Sequence, residues 1–363
     1  MIVELHLLQN VAPSCLNRDD ANAPKDCDFG GYRRSRISSQ CIKKSIRDEF
    51  RKNLPEKTGF RSKLATQQLF EKLKKEIDAI SDEKALNLSE LICKNYFSNI
   101  DKNGVLDVLV FFDEAELDGL VSVVKENYSD KMDIPKTLKL VKTFPVSYDI
   151  ALFGRMLANF PGNNIDGACQ VAHAISTNKA SMEFDFYTAI DDLQAAGEQG
   201  AGMMGTISFT SSCFYRYSVI HLSRLKDNLK NDNEAVKDCV NAYIKSSFTA
   251  MPTGKQNSFA AHNPPSFAYC VIRDTNTPWS LANAFEKPVK PDNKNGLVSN
   301  SVSAIIKYWE SLSTIYSSIN NVVEGSLLCL QNDEITDKDL GSLIEYKKNN
   351  IDEFISTITD RIQ

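Results

Sequence analysis

Histidine is scarce in this chain, and several familiar signatures are missing. The four histidines, His6, His173, His221 and His262, form no H-E-x-x-H pair, so no imidazole metal centre is expected. The nine cysteines never fall at C-x-x-C spacing, and an odd, scattered set points to reduced, mostly buried thiols rather than a disulfide framework or a zinc site. No run of about 18 apolar residues occurs, and MIVELHLLQN carries neither a basic n-region nor a small-residue cleavage site. The expectation is a cytoplasmic protein with no membrane partner. Neither a G-x-S-x-G elbow nor a Walker loop is present, which removes two common routes to catalysis.

The rest is ordinary for a soluble globular protein: 363 residues, 42% hydrophobic, 25% charged, formal net charge −5. That length allows two or three domains, or one with large insertions. Residues 2–10 read as a first strand, and the Pro-, Asp- and Asn-rich residues 12–34 as a long surface excursion. After Ser38 and Ser39, either of which can cap a helix, Ile42, Ile46 and Phe50 recur at four-residue spacing and predict a helix with one apolar face. Helical patterns fill most of residues 60–140. VSYDIALFGRM then reads as a second core strand ended by Gly154, CFYRYSVIHL as a third and SFAYCVIRD as a fourth, with a helix in EAVKDCVNAYIKSSFTAM and helices in the C-terminal part. This order predicts an α+β fold: a ferredoxin-like, RNA-recognition-like palm with an inserted helical finger subdomain and a projecting thumb loop or hairpin. The divisions are 1–54 palm, 55–140 fingers, 141–178 palm and web, 179–212 thumb, and 213–363 the rest of the palm with C-terminal helices.

One stretch departs from the acidic balance. Residues 30–52 hold Arg33, Arg34, Arg36, Lys43, Lys44, Arg47, Arg51 and Lys52 against Asp48 and Glu49. Local cation density in an acidic protein suits a polyanion, because guanidinium and ammonium groups displace counterions from phosphates, and backbone N–H groups at Gly30, Gly31 and the following helix N-terminus add donors. A solvated helix face would carry the same charges. GAGMMG, residues 200–205, spells G-x-G-x-x-G, but a β-like sequel rather than a helix excludes a dinucleotide site; Met203 and Met204 read instead as exposed side chains on a mobile loop, suited to wedging between bases. The acid pairs Asp19/Asp20, Asp26/Asp28 and Asp191/Asp192 are near neighbours in sequence, which does not make them convergent metal ligands. Phe214, Tyr215 and Tyr217 suit either a stacking platform or a core, with core favoured.

PSCLNRDD, FGGYRRSRISSQCIKK, DIALFGRM, VAHAIS, YTAIDDLQ, FYRY and LANAFEKPV, in this order, resemble the backbone subunit (CasC family) of the type I-E CRISPR Cascade surveillance complex. The resemblance implies a non-catalytic protein without cofactor that polymerises along the guide RNA (crRNA) in a helical filament for antiviral defence. It displaces a nucleotide at intervals and leaves the others to pair with target DNA. Implied partners are crRNA, target DNA through it, further copies of the chain, and the large, small, cap and crRNA-processing subunits. The implied RNA contacts are Arg18, Lys25, Arg34, Arg36, Ser38, Gln40, Lys43, Lys44 and Arg47 in the palm, Arg155 and Met156 after DIALF, and Thr188 in the thumb with Met204 or Met203 at its tip. Lys255 and Gln256 follow in a nearby loop. Two alternatives stay open: a metal-dependent RNase using Asp185, Asp191 or Asp192, and a protein-only polymer.

Overall fold

The computed structural model describes the chain except residues 79, 130–131, 142–145, 190–202, 331–333 and 363. In chain order its strands are β1 (Ile2–Ser14), β2 (Asp26–Phe29), β3 (Tyr32–Ile37), β4 (Phe60–Ser62), β5 (Val110–Phe112), β6 (Cys169–Val171), β7 (Ala174–Ser176), β8 (Glu183–Ala189), β9 (Met203–His221), β10 (Phe267–Arg273) and β11 (Val322–Cys329). The helices that matter most here are α1 (Ser39–Asn53), α2 (Ala65–Glu76), α3 (Asp82–Tyr96) and α4 (Glu114–Glu126). The chain divides into two compact units, one of Met1–Asp48, Val171–Val219 and Val240–Gln363, the other of Glu49–Gln170 and Ile220–Cys239.

The first unit is built on a sheet whose neighbours run β11-β10-β1-β9-β7-β3-β2, with β8 also pairing with β9. β1 is antiparallel to β10 from Ile2↔Arg273 to Leu8↔Phe267. Ile2 to Leu8 are all buried, so this part of the strand has no solvent face. On one face Leu5 and Leu7 share a small cavity with Ile42 and Ile46 of α1. Ser38 starts that helix, its Oγ accepting from the Cys41 N–H at 3.3 Å. Ile42, Ile46 and Phe50 are all buried, as the four-residue stripe predicts, each contributing roughly 1.5–3 kcal/mol. The opposite face packs against the helix Leu297–Ile315, with Phe267, Tyr269, Phe285 and Trp309 in that core. Among its apolar side chains sits a fully buried ion pair, Arg273 to Glu4 at 3.0 Å, its carboxylate further satisfied by the Tyr217 hydroxyl and the Trp279 N–H.

In the second unit α2, α3 and α4 surround Leu69, Leu73, Ile92, Tyr96, Phe97 and Leu117, all inaccessible to solvent. Ser81 and Asp113 cap α3 and α4, their side chains accepting from the Lys84 and Glu116 N–H groups. β4 and β5 form a separate two-stranded ladder.

Three elements differ from expectation. Tyr148–Phe153 is a helix, not a strand: Tyr148 to Leu152 are buried in succession, a pattern that serves either state, and Gly154 at φ +74° closes it. The supposed loop of residues 12–34 contains the β2–β3 hairpin, in which Gly30 and Gly31 at φ +60° and +76° make the two-residue turn. β11 adds an unforeseen strand beside β10. Among the described residues no helix is long and apolar enough to cross a membrane.

Candidate nucleic-acid interface

The basic stretch separates into inward and outward cations. Arg34 is completely buried and donates to four backbone carbonyls, Ser176 at 3.0 Å, Thr177 at 2.9 Å, Phe285 at 2.6 Å and Glu286 at 2.9 Å. It is an internal staple, and the expectation that it touches RNA is corrected. Arg33 is held by Asp26 through two bonds of 2.6 and 2.7 Å, with Asp28 at 3.4 Å, so these two carboxylates are engaged by an arginine. Arg51 donates to Gly59 O at 2.7 Å and lies over the Phe60 ring, and Lys52 pairs with Glu49. The glycine pair is explained by the hairpin, with Gly30 pressed against the Glu286 carbonyl.

The outward cations converge. Residues 17–25 form a folded loop, its turn held by the Asp19 carboxylate accepting from the Ala21 and Ala23 N–H groups at 2.9 Å and by Asn22 at φ +61°. Asn17 Oδ1 accepts from the Ser38 N–H at 2.9 Å, which fastens this loop to the start of α1. Between loop and helix lies an open groove of about 350 Å³, lined by Arg18, Asn22, Lys44, Asp48 and the segment Pro252–Gly254. Gly254 lies so close to the Leu16 carbonyl that a Cβ would stand 2.3 Å from it, which brings Lys255 beside the loop. Burial raises the thiols of Cys15 and Cys41, and the charges that pull them back down identify the neighbours: Lys255 and Arg18 at Cys15, Lys25 and Lys44 at Cys41. Arg36 donates to the Asp26 carbonyl and to Nδ1 of His173 at 3.0 Å. The His173 imidazole is held below its ordinary pKa by burial, Arg36 and Lys25, in that order.

Arg18, Lys25, Arg36, Lys44 and Lys255 are thus gathered around one loop and one helix N-terminal half. Gln40 is exposed at that helix start, while Lys43 and Arg47 are half-exposed one turn apart. Ser38 is buried and occupied as the cap, so its hydroxyl serves the helix. Gln256 is likewise structural: its Nε2 donates to the Pro252 and Ala261 carbonyls, closing the loop that bears Lys255. His173 was not foreseen; a lone histidine in VAHAIS gives no sign of the arginine it will meet.

β8 and β9 form an antiparallel ribbon in which Thr188 faces Met204 and Ala189 faces Met203. Alternation therefore places Phe184, Phe186, Thr188 and Met204 on one face and Met203 on the other. Phe184, Phe186 and both methionines are exposed. The Phe209 and Phe259 rings, 5.6 Å apart, tie the ribbon's base to the Lys255 segment. β9 starts at Met203 and runs through Gly205, so GAGMMG leads into a strand and not into the helix that a dinucleotide site requires. Phe214 and Tyr215 are core residues, and the Tyr217 hydroxyl donates to Glu4 at 2.7 Å.

In the second unit Met156 is 80% exposed. Its neighbour Arg155 is turned inward, with a side chain 4% exposed and bonded to Glu116, so its expected RNA contact is also corrected. Asp185 is exposed on β8, whereas Asp191 and Asp192 lie outside the described residues. Among the described residues no group of three or more His, Cys, Asp or Glu side chains is placed to hold a metal.

The sequence profile of the CT1975-like protein family matches residues 3–357, nearly the whole chain. The chain belongs to the CT1975-like protein family. Among solved structures, this CT1975-like chain is similar to a chain of one titled "CRISPR RNA-guided surveillance complex, pre-nicking", with TM-score 0.82, 24% identity and 100% of both chains covered. A chain of a second, titled "CRISPR RNA-guided surveillance complex", gives TM-score 0.67 at 22% identity over 99% of both. At these identities the likeness establishes the fold. No curated protein matches the chain.

Proposed function

We propose that this CT1975-like protein is the non-catalytic crRNA-binding backbone subunit of a Cascade-type CRISPR surveillance complex, of type I-E, working in the cytoplasm. Successive copies wind along the guide and displace a nucleotide at intervals, and the remaining bases pair with target DNA. The neighbouring strands β10-β1-β9-β7 stand in the chain order fourth, first, third, second, with α1 after the first and the helix Asn233–Thr249 after the third, an order that supports reading this sheet as a ferredoxin-like palm. On this reading the β8–β9 ribbon belongs to the thumb and residues 55–140 supply the fingers.

The observation that carries the reading is the convergence of Arg18, Lys25, Arg36, Lys44 and Lys255 in an acidic chain. A subunit whose guide changes with each invader must bind phosphates rather than read bases, and flexible cations with apolar wedges do so. Met204, beside Thr188, is the better-placed tip residue, since the two side chains leave the same face of the ribbon.

The rival is a metal-dependent RNase, for which Asp185 is the described suspect. Incubating the native complex with Mg²⁺ and RNA complementary to its guide separates the two. The scaffold leaves that RNA intact, and regularly spaced cuts lost in Asp185→Asn would establish the enzyme. A protein-only polymer would survive RNase treatment, whereas the scaffold proposed here falls apart.

A further inference from the structure

Met156 is an exposed apolar side chain between two buried ones. Met156 is 80% accessible, yet Leu157 is fully buried and the Arg155 side chain is 4% accessible. The backbone on either side is fixed: Arg155 and Ile165 exchange N–H···O bonds of 2.9 and 3.0 Å, and the Leu157 N–H donates to Asn164 Oδ1 at 2.5 Å. Arg155 donates to both Glu116 carboxylate oxygens, to Phe111 O at 3.2 Å and, through Nε, to Asn163 O at 3.3 Å. Glu116 is held in turn by the Tyr96 hydroxyl at 2.6 Å. The guanidinium fork is thus spent on its own protein.

We infer that Arg155 is a positioning residue: locked to Glu116, it stiffens the segment that presents Met156 to the guide and touches no phosphate itself. This rests on the RNA-binding reading above. Methionine has three rotatable bonds and is a soft wedge, so separating stacked bases requires a rigid base beneath it, because compliance there would return the side chain to the surface instead of the stack.

The test uses the full chain labelled with [methyl-¹³C]methionine, which has seven methionines; Met156→Leu identifies the Met156 signal. Glu116→Gln is expected to shift and sharpen that signal while leaving the others in place. It should also weaken single-stranded RNA binding several-fold without changing its salt dependence, and add little to the loss caused by Met156→Ala. A Met156 signal unmoved by Glu116→Gln overturns the inference. So does tighter RNA binding with a salt slope steeper by about 0.7, since a freed guanidinium would then be taking a phosphate. Should Glu116→Gln lose all native methyl dispersion, Arg155→Lys replaces it: the charge stays but the fork is lost, so a positioning role predicts a moved Met156 signal and weaker binding, while a plain phosphate contact predicts neither. Wild-type chain that binds no RNA would defeat the functional reading, and the methyl arm would still judge the anchor.

Discussion

Lys44 and Asp48 offer a prediction of two opposite signs. Lys44 Nζ lies 2.6 Å from Asp48 Oδ2 one turn along α1, with the side chains 68% and 40% exposed. An exposed pair at this spacing contributes about 0.3–0.5 kcal/mol. To reach a phosphate, Lys44 must leave Asp48, so Asp48→Asn should tighten RNA binding by about twofold, the equivalent of that energy. Lys44→Ala removes one neutralised phosphate and should make the logarithmic salt slope shallower by about 0.7, the single-strand value. If Arg18, Lys25, Arg36, Lys44 and Lys255 each meet one phosphate, the wild-type slope is about −3.5, and affinity falls roughly a hundredfold between about 50 and 200 mM salt. Fluorescence anisotropy with labelled single-stranded RNAs of unrelated sequence reads all three quantities. Weaker binding in Asp48→Asn, or a slope unchanged in Lys44→Ala, would refute the placement of RNA along this groove.

Other expectations follow from the same geometry. Arg34→Met strips donors from four buried carbonyls and should cost about 3 kcal/mol or more in urea unfolding, while the folded fraction keeps its salt slope; a shallower slope would return Arg34 to the RNA. Gly254→Ala forces a Cβ against the Leu16 carbonyl, which should cost roughly 1–3 kcal/mol of stability as overpacking does and, by displacing the Lys255 loop, weaken RNA binding; affinity like the wild type's would show that Lys255 is not positioned by this contact. His173 titrates below its ordinary range in the free protein because of burial, Arg36 and Lys25. Nearby phosphates would raise its pKa, so binding takes up a proton and affinity should grow as pH falls from neutral toward that range. His173→Ala should remove this dependence, as measured by anisotropy at fixed salt.

How far the fold could be read in advance depended on whether a local pattern had one reading. Ile42, Ile46 and Phe50 define a period that only a helix satisfies, and α1 is there. From Tyr148 to Leu152 five consecutive residues are buried, and consecutive burial is compatible with a strand or an enclosed helix, so the period decides nothing. The β2–β3 hairpin was announced by two adjacent glycines but hidden by the surrounding Pro, Asp and Asn. β11 is interrupted by Gly325, which packs under the Tyr346 ring, a long-range reason invisible locally.

At the site, sequence marked the region but not the direction of its charges. Arg33, Arg34 and Arg36 look alike in a row, yet one meets acids, one meets carbonyls and one reaches His173. Alternation along β3 tells that neighbours diverge, not which side is dry. The inward turn of Arg155 likewise depends on Glu116, 39 residues earlier.

The central claim is that the loop and α1 cations hold RNA whatever its sequence. Native chain purified at low salt, with its nucleic acid extracted, sized and sequenced, tests it most directly. The account predicts short RNAs of discrete length and diverse sequence, released as salt is raised and depleted when Arg18, Lys25 and Lys44 are together changed to alanine. Protein free of RNA, or RNA retained unchanged by that triple variant, would contradict it.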